Sequence, residues 1–119
     1  MQFMLMFADS QAEIDKRRDP VNLEQNNAAW MTYIGAMMGA GVMKNGDGLL
    51  PPETATTVRV REGKRQVQDG PYCDAKEYLG GYCIIEVASL DDALDWAAQA
   101  PTATIGSVEV RPVLPNPNG

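Results

Sequence analysis

Histidine is absent from the 119 residues, and no other feature of the composition removes as much chemistry. Its absence takes away the commonest general base and with it every Ser-His or Cys-His nucleophile pair. Only two cysteines, Cys73 and Cys83, are present. They are too few for a disulfide framework, and without imidazole partners one subunit cannot assemble the usual four-ligand set of a structural zinc site. Carboxylates alone would suit a hard cation, but no Asp/Glu spacing resembles a calcium loop. No metal and no cofactor is expected, and acid–base work falls to Asp, Glu, Lys, Tyr or Cys.

Long apolar runs are also missing. The stretches Phe3 to Ala8 and Tyr82 to Ile85 fall far short of the roughly 18 to 20 residues of a membrane span, so no membrane partner is expected. Met1 to Ala8 has no basic segment and no small-residue cleavage site before Asp9, which makes a cytoplasmic location the expectation. Positive charge is scarce as well: ten Lys and Arg against sixteen Asp and Glu leave a net charge of -6, the wrong sign for neutralising the phosphates of nucleic acid. One basic cluster, Arg59, Arg61, Lys64 and Arg65, surrounds Glu62 and Gly63. It reads as a hairpin tip whose cations either guard a strand edge or receive an anion.

The chain is long enough for one domain, residues 1–119, ending in a Pro/Asn tail from Pro112 to Gly119. Gln2 to Phe7 is apolar at nearly every position and suits a central strand. A polar connection of about 11 residues, Asp9 to Asp19, is long enough to act as a lid. Asn22, with Gln25 in capping-box position, predicts the start of a helix in which Trp30, Met31, Ile34, Met37 and Met38 keep a 3.6-residue rhythm up to Gly39 and Gly41. Asn27 and Trp30 lie on the same side of it and are expected to pack in the core.

Val42 to Pro52 reads as a loop holding at most one short strand. Thr56 to Arg61 and Lys64 to Asp69 alternate as a β-hairpin, and Gly81 to Val87 reads as a second central strand. Ser89 caps a helix with Leu90, Ala93, Leu94 and Ala97 on one side, which Pro101 ends, and Ser107 to Val113 is the last strand. The order predicts an α+β fold, a ferredoxin-like βαββαβ with an antiparallel sheet and two helices on one face. Strands this apolar need cover on the other face too, and the simplest cover is a second copy about a two-fold axis.

The run DGLLPPETATTVRVREGKRQVQDGPYCDAKEYLGGYCIIEVASLDDALDWAAQAP from Asp47 to Pro101, followed by GSVEVRPV from Gly106 to Val113, resembles the DGPF family of YCII-related proteins. TATTVR, DGP with Lys-Glu, LGG and EVRPV recur in the family's order. The resemblance implies a homodimeric α+β barrel, a fold that serves small isomerases, cofactor-free monooxygenases and binding proteins alike. Some family members are encoded beside extracytoplasmic-function sigma factors, which makes a sigma factor a partner by association only. Smaller YCII-type relatives are read as enzymes through a His-Asp pair that this chain cannot supply. Where the family more often has Phe after DGP, this chain has Tyr72 and Cys73.

Candidate site residues follow from this loop and from strand parity. Asp69, Tyr72, Lys76 and Glu77 put a base, a phenol and an ammonium near one turn, although Asp-Gly-Pro is also ordinary turn chemistry. Glu109 and Arg111 share the strand face opposite Val108 and Val110, and either form a structural ion pair or line a site beside Tyr82. Asp47 stands on the rigid loop ending in Pro51 and Pro52. On this reading the catalytic candidates are Asp69, Lys76 and Glu109, and the ligand-binding candidates are Asp47, Tyr72, Tyr82 and Arg111. The expected function is binding of a small carboxylate or carbonyl compound, with an accessory role in sigma-factor-linked regulation. The alternative is a metal-free isomerase, lyase or monooxygenase using Asp, Lys and Tyr.

Overall fold

In a computed structural model of the chain, which describes residues 1–71 and 76–117, strand β1 (Gln2–Asp9) runs through the middle of the main sheet. Its odd-numbered residues Phe3, Leu5, Phe7 and Asp9 are buried, whereas Met4, Met6 and Ala8 lie half-exposed on the other face. Helix α1 (Gln11–Lys16) follows. The long helix α2 (Pro20–Gly39), strand β2 (Met43–Gly48), the hairpin strands β3 (Thr56–Arg61) and β4 (Lys64–Asp69), strand β5 (Tyr78–Glu86), helix α3 (Leu90–Ala98) and strand β6 (Ser107–Pro112) complete the order. The main sheet is antiparallel with the strand order β2-β5-β1-β6. This is the ferredoxin-like arrangement, and β3–β4 is an insertion that forms a two-stranded sheet of its own.

Three expectations need correction. The stretch from Asp9 to Asp19 is not a bare lid: Ser10 caps α1 by accepting from the Glu13 amide at 3.2 Å, a polar capping pattern with too few apolar residues to show a helical period. Asn22 is not the N-cap of α2. Asp19 is, accepting from the Val21 amide at 2.9 Å with Pro20 in the first turn, where a missing N–H costs nothing. The Asn22 amide instead donates to the Lys16 carbonyl at 3.0 Å and ties the two helices. Met43–Gly48, finally, is the full second strand of the core fold. Nothing in its glycine-rich sequence alternates, because β5 holds it through backbone bonds and not through side-chain packing.

The hairpin keeps its expected ends, and its turn residues Glu62 and Gly63 both take positive φ, 53° and 74°, as a tight two-residue turn requires. Tyr72, in the loop that follows, lies outside the described residues.

Both α2 and α3 cover the face bearing Phe3, Leu5, Cys83 and Ile85. These residues and Met37 are essentially inaccessible, and each large apolar side chain so buried contributes about 1.5–3 kcal/mol. The Tyr33 hydroxyl locks the two helices by donating to the Trp96 carbonyl at 2.9 Å. The expected helical stripes are only partly used, since Met31, Met38, Leu90 and Leu94 remain exposed. On the opposite face Met4, Met6, Tyr82 and Ile84 lie in register across β1 and β5, with no helix over them.

Burial keeps the Cys83 thiol neutral, raising its pKa from 9.0 to about 11, and pushes the Tyr33 phenol upward as well. A raised folded-state pKa contributes stability that is complete below the unfolded value and is lost as pH climbs through the folded one. Stability should therefore fall as pH rises from 9 towards 11. Denaturant midpoints measured across that window should fall less steeply for Cys83→Ala than for the natural chain.

Candidate ligand-binding cavity

Three glycines leave one corner of the sheet's helix-facing surface without side chains, where β2 meets β5. Asp47 sits opposite Tyr82, and its carboxylate accepts from the Tyr82 hydroxyl at 2.8 Å on the open face. Strand alternation therefore turns Gly46 and Gly48 toward the helices, paired with Cys83 and with Gly81. A Cβ at Gly46 would stand 2.8 Å from the Tyr82 carbonyl oxygen, and one at Gly81 would stand 3.0 Å from the Asp47 carbonyl oxygen. The strands can pass this closely only with glycine there. Above this floor a cavity of about 1010 Å³ lies between α2 and the sheet, at the upper end of the range for small-molecule sites.

Its roof is the α2 face carrying Leu23, Asn26, Asn27, Trp30 and Ile34, with Leu49 to Pro52 along one side. Phe7 meets Trp30 edge-to-face at 4.8 Å between centroids, and Tyr33 stands 6.1 Å from Phe7. At one side of the cavity lies a polar group. Asp9, 5% exposed, continues the buried side of β1, and Arg17, from the end of α1, bonds its Oδ2 at 2.7 Å. Asp9 Oδ1 is buried and has no hydrogen-bond partner among the described residues, and neither has the buried Thr102 Oγ1. Both residues line the cavity. Arg18, which also lines the cavity, bonds Glu53 at 2.9 Å, joining the α1–α2 junction to the turn after Pro51. The backbone bonds of that turn and Arg18 hold the Glu53 carboxyl below its ordinary pKa.

The residues singled out from sequence are distributed differently. Asp47 and Tyr82 meet, and the carboxylate raises the Tyr82 phenol pKa. Glu109 and Arg111 form an ion pair with each other along β6, both well exposed, opposite Met6 and Met4. Strand parity thus puts the Tyr82, Glu109 and Arg111 side chains on one face; Asp47 and Tyr82 also border the cavity, whereas Glu109 and Arg111 are not among the residues lining it. Asp69 is exposed at the end of the hairpin, Lys76 is exposed before β5, and no ion pair joins them. Glu77 accepts from the Ser107 hydroxyl at 2.7 Å.

Asp9, Arg17 and Thr102 were not singled out. The signal for Asp9 was in the sequence, since it continues the alternation of Phe3, Leu5 and Phe7. Arg17 and Thr102 reach it only through tertiary structure. Of the two residues expected in the core, Trp30 packs against it and also lines the cavity, whereas Asn27 is exposed and only lines the cavity.

The model of the YCII-related domain matches residues 1–116. The chain belongs to the YCII-related domain family. An uncharacterized protein of Rhizobium meliloti (strain 1021) is 45% identical over 67 residues, 55% of this chain. The match spans about half of that relative's length, 54%. Among solved structures, the 5-chloro-2-hydroxyhydroquinone dehydrochlorinase (TftG) from Burkholderia phenoliruptrix AC1100, in complex with 2,5-dihydroxybenzoquinone, is similar with a TM-score of 0.58 and 17% identity, covering 99% of this chain and 98% of that one. At that identity the likeness is one of fold.

Gly106 secures the polar side of this YCII-related cavity. Its amide donates to the Thr102 carbonyl at 2.8 Å, and an added Cβ would fall 2.1 Å from the Ala8 carbonyl oxygen and 3.1 Å from Asp9 Oδ1. The obstruction is backbone and cannot swing away. Gly106→Ala should cost about 1–3 kcal/mol in chemical denaturation, whereas Gly39→Ala, which meets nothing within 4 Å, should be neutral or stabilising.

Proposed function

We propose that this YCII-related domain binds a small organic molecule in the cavity between α2 and the sheet, and does so as a homodimer in the cytoplasm. The observation that carries the reading is the glycine floor: the fold leaves core volume unfilled beside a buried carboxylate with a free oxygen, which is costly unless something occupies the space. The ring-shaped ligand of the similarly folded dehydrochlorinase supports the size and type of molecule.

The expectation of a carboxylate or carbonyl ligand rested on Arg111. Arg17 and Arg18 are the arginines that line the cavity, and each already has a carboxylate partner, Asp9 for Arg17 and Glu53 for Arg18. A metal-free isomerase, lyase or monooxygenase using Asp, Lys and Tyr is the second reading, and the buried Asp9, with one oxygen unpartnered among the described residues, adds a candidate base to Asp69, Lys76 and Glu109. The sigma-factor partnership rests on the family resemblance alone.

Two surfaces support the dimer. The open face of the sheet carries Met4, Met6 and Ile84, and Val58, Val60 and Val67 of the hairpin are 57%, 61% and 53% exposed on one side of it. The radius of gyration, 16.2 Å, exceeds the roughly 13.5 Å of a compact chain this long. With extents of 46 × 46 × 19 Å the chain is a slab about one sheet and one helix thick, so both apolar surfaces lie outside.

Light scattering at low micromolar concentration should return about twice the 12.9 kDa chain mass. A monomer at that concentration would refute the dimer.

The cavity has its own test. Gly48 has open space where a side chain would begin, so Gly48→Phe should fill the cavity without disturbing the fold. In a thermal-shift panel of aromatic hydroxyl, carbonyl and carboxylate compounds, those that stabilise the natural protein should lose their effect on Gly48→Phe. Equal shifts in both proteins would place binding elsewhere.

A further inference from the structure

Resting on the cavity reading, we propose that its polar side is a hydroxyl subsite, in which Asp9 Oδ1 and Thr102 Oγ1 together receive the phenolic hydroxyl of a flat aromatic ligand. Three features of the geometry combine.

The first is the pair of orphans. Asp9 and Thr102 are 5% and 3% exposed, and Asp9 Oδ1 and Thr102 Oγ1 have no hydrogen-bond partner among the described residues. Buried polar atoms are nearly always paired, and an unpaired one asks for a ligand or a water. A carboxylate oxygen only accepts, whereas a threonine hydroxyl both donates and accepts. A hydroxyl carries both the donor that Asp9 needs and the acceptor that Thr102 needs.

The second is charge. Arg17 holds Asp9 Oδ2 at 2.7 Å, so the carboxylate's charge already has a partner, and its second oxygen is left as a hydrogen-bond acceptor. A ligand carboxylate would bring another negative charge against Asp9, and an ammonium group would meet Arg17. A neutral donor meets neither cost, and a hydrogen bond to a charged acceptor is among the stronger kinds.

The third is shape. Gly46, Gly48 and Gly81 leave bare backbone as the floor, and Trp30 with Phe7 supplies aromatic wall. A planar ring can lie on such a floor, where a bulky saturated ligand would gain less contact.

The probes are 2-naphthol, its methyl ether and 2-naphthoate, measured by calorimetry on the natural protein and on Thr102→Val, Asp9→Asn and Gly48→Phe. We expect 2-naphthol to bind at least tenfold more tightly than either the ether, which cannot donate, or the naphthoate. Thr102→Val should weaken 2-naphthol about tenfold. Asp9→Asn should weaken 2-naphthol further. If that variant is too unstable to measure, Thr102→Val together with the ether decides.

Naphthol and ether binding equally, with both blocked by Gly48→Phe, would overturn the hydroxyl subsite and leave the cavity reading standing. Naphthoate binding most tightly would overturn it in favour of an anion site at Arg17. If none of the three binds at millimolar concentration, the hydroxyl subsite falls, and if the wider panel fails as well, so does the cavity reading.

Discussion

The constraint on which this structure turns is the close approach of β2 to β5 where both are built from glycine. At Gly46 and Gly81 a Cβ would press into the neighbouring strand's backbone, so the strands can lie in this register only without side chains. The same glycines leave the helix-facing surface empty. The space between these glycines and α2 is a cavity with a backbone floor. On the other half, beside β6, Ala93 and Ala97 of α3 pack closely, and the core closes in the ordinary way.

The polar group at the side of that cavity follows from the central strand. A buried residue at the end of β1 would ordinarily be apolar, yet Asp9 occupies the position, and a carboxylate there is tolerable only with a partner. Arg17 supplies it from α1, which explains why the short helix matters although it buries no residue of its own. Gly106 lets the turn bearing Thr102 close against the same point. Two regions far apart in sequence, the β1–α1 stretch and the turn before β6, thus meet around one carboxylate, and one of its oxygens is left over.

The two faces of the sheet have separate roles. Cavity and buried pair lie beneath the helices, while the Asp47–Tyr82 hydrogen bond and the Glu109–Arg111 ion pair lie on the open face. That second set is well exposed in a single chain, where such pairs contribute little to stability. Their position beside Met4, Met6 and Ile84 suits residues that orient one copy on another, as a polar rim does around an apolar patch.

Sequence alone determined the fold class, the hairpin, the α3 cap at Ser89, the parity that puts Tyr82, Glu109 and Arg111 on one face, and the family. Each of these is local periodicity, turn chemistry or motif order, and needs no knowledge of what lies opposite. The second strand was not legible because its glycines carry no pattern, and α1 was not because its cap and ion pairs are polar. Tertiary structure alone decided which face holds a cavity, since an empty volume is a property of what two elements fail to fill. It also decided that Asp9 meets Arg17, because that contact depends on where α1 lands against the end of β1, and no spacing along the chain encodes the landing.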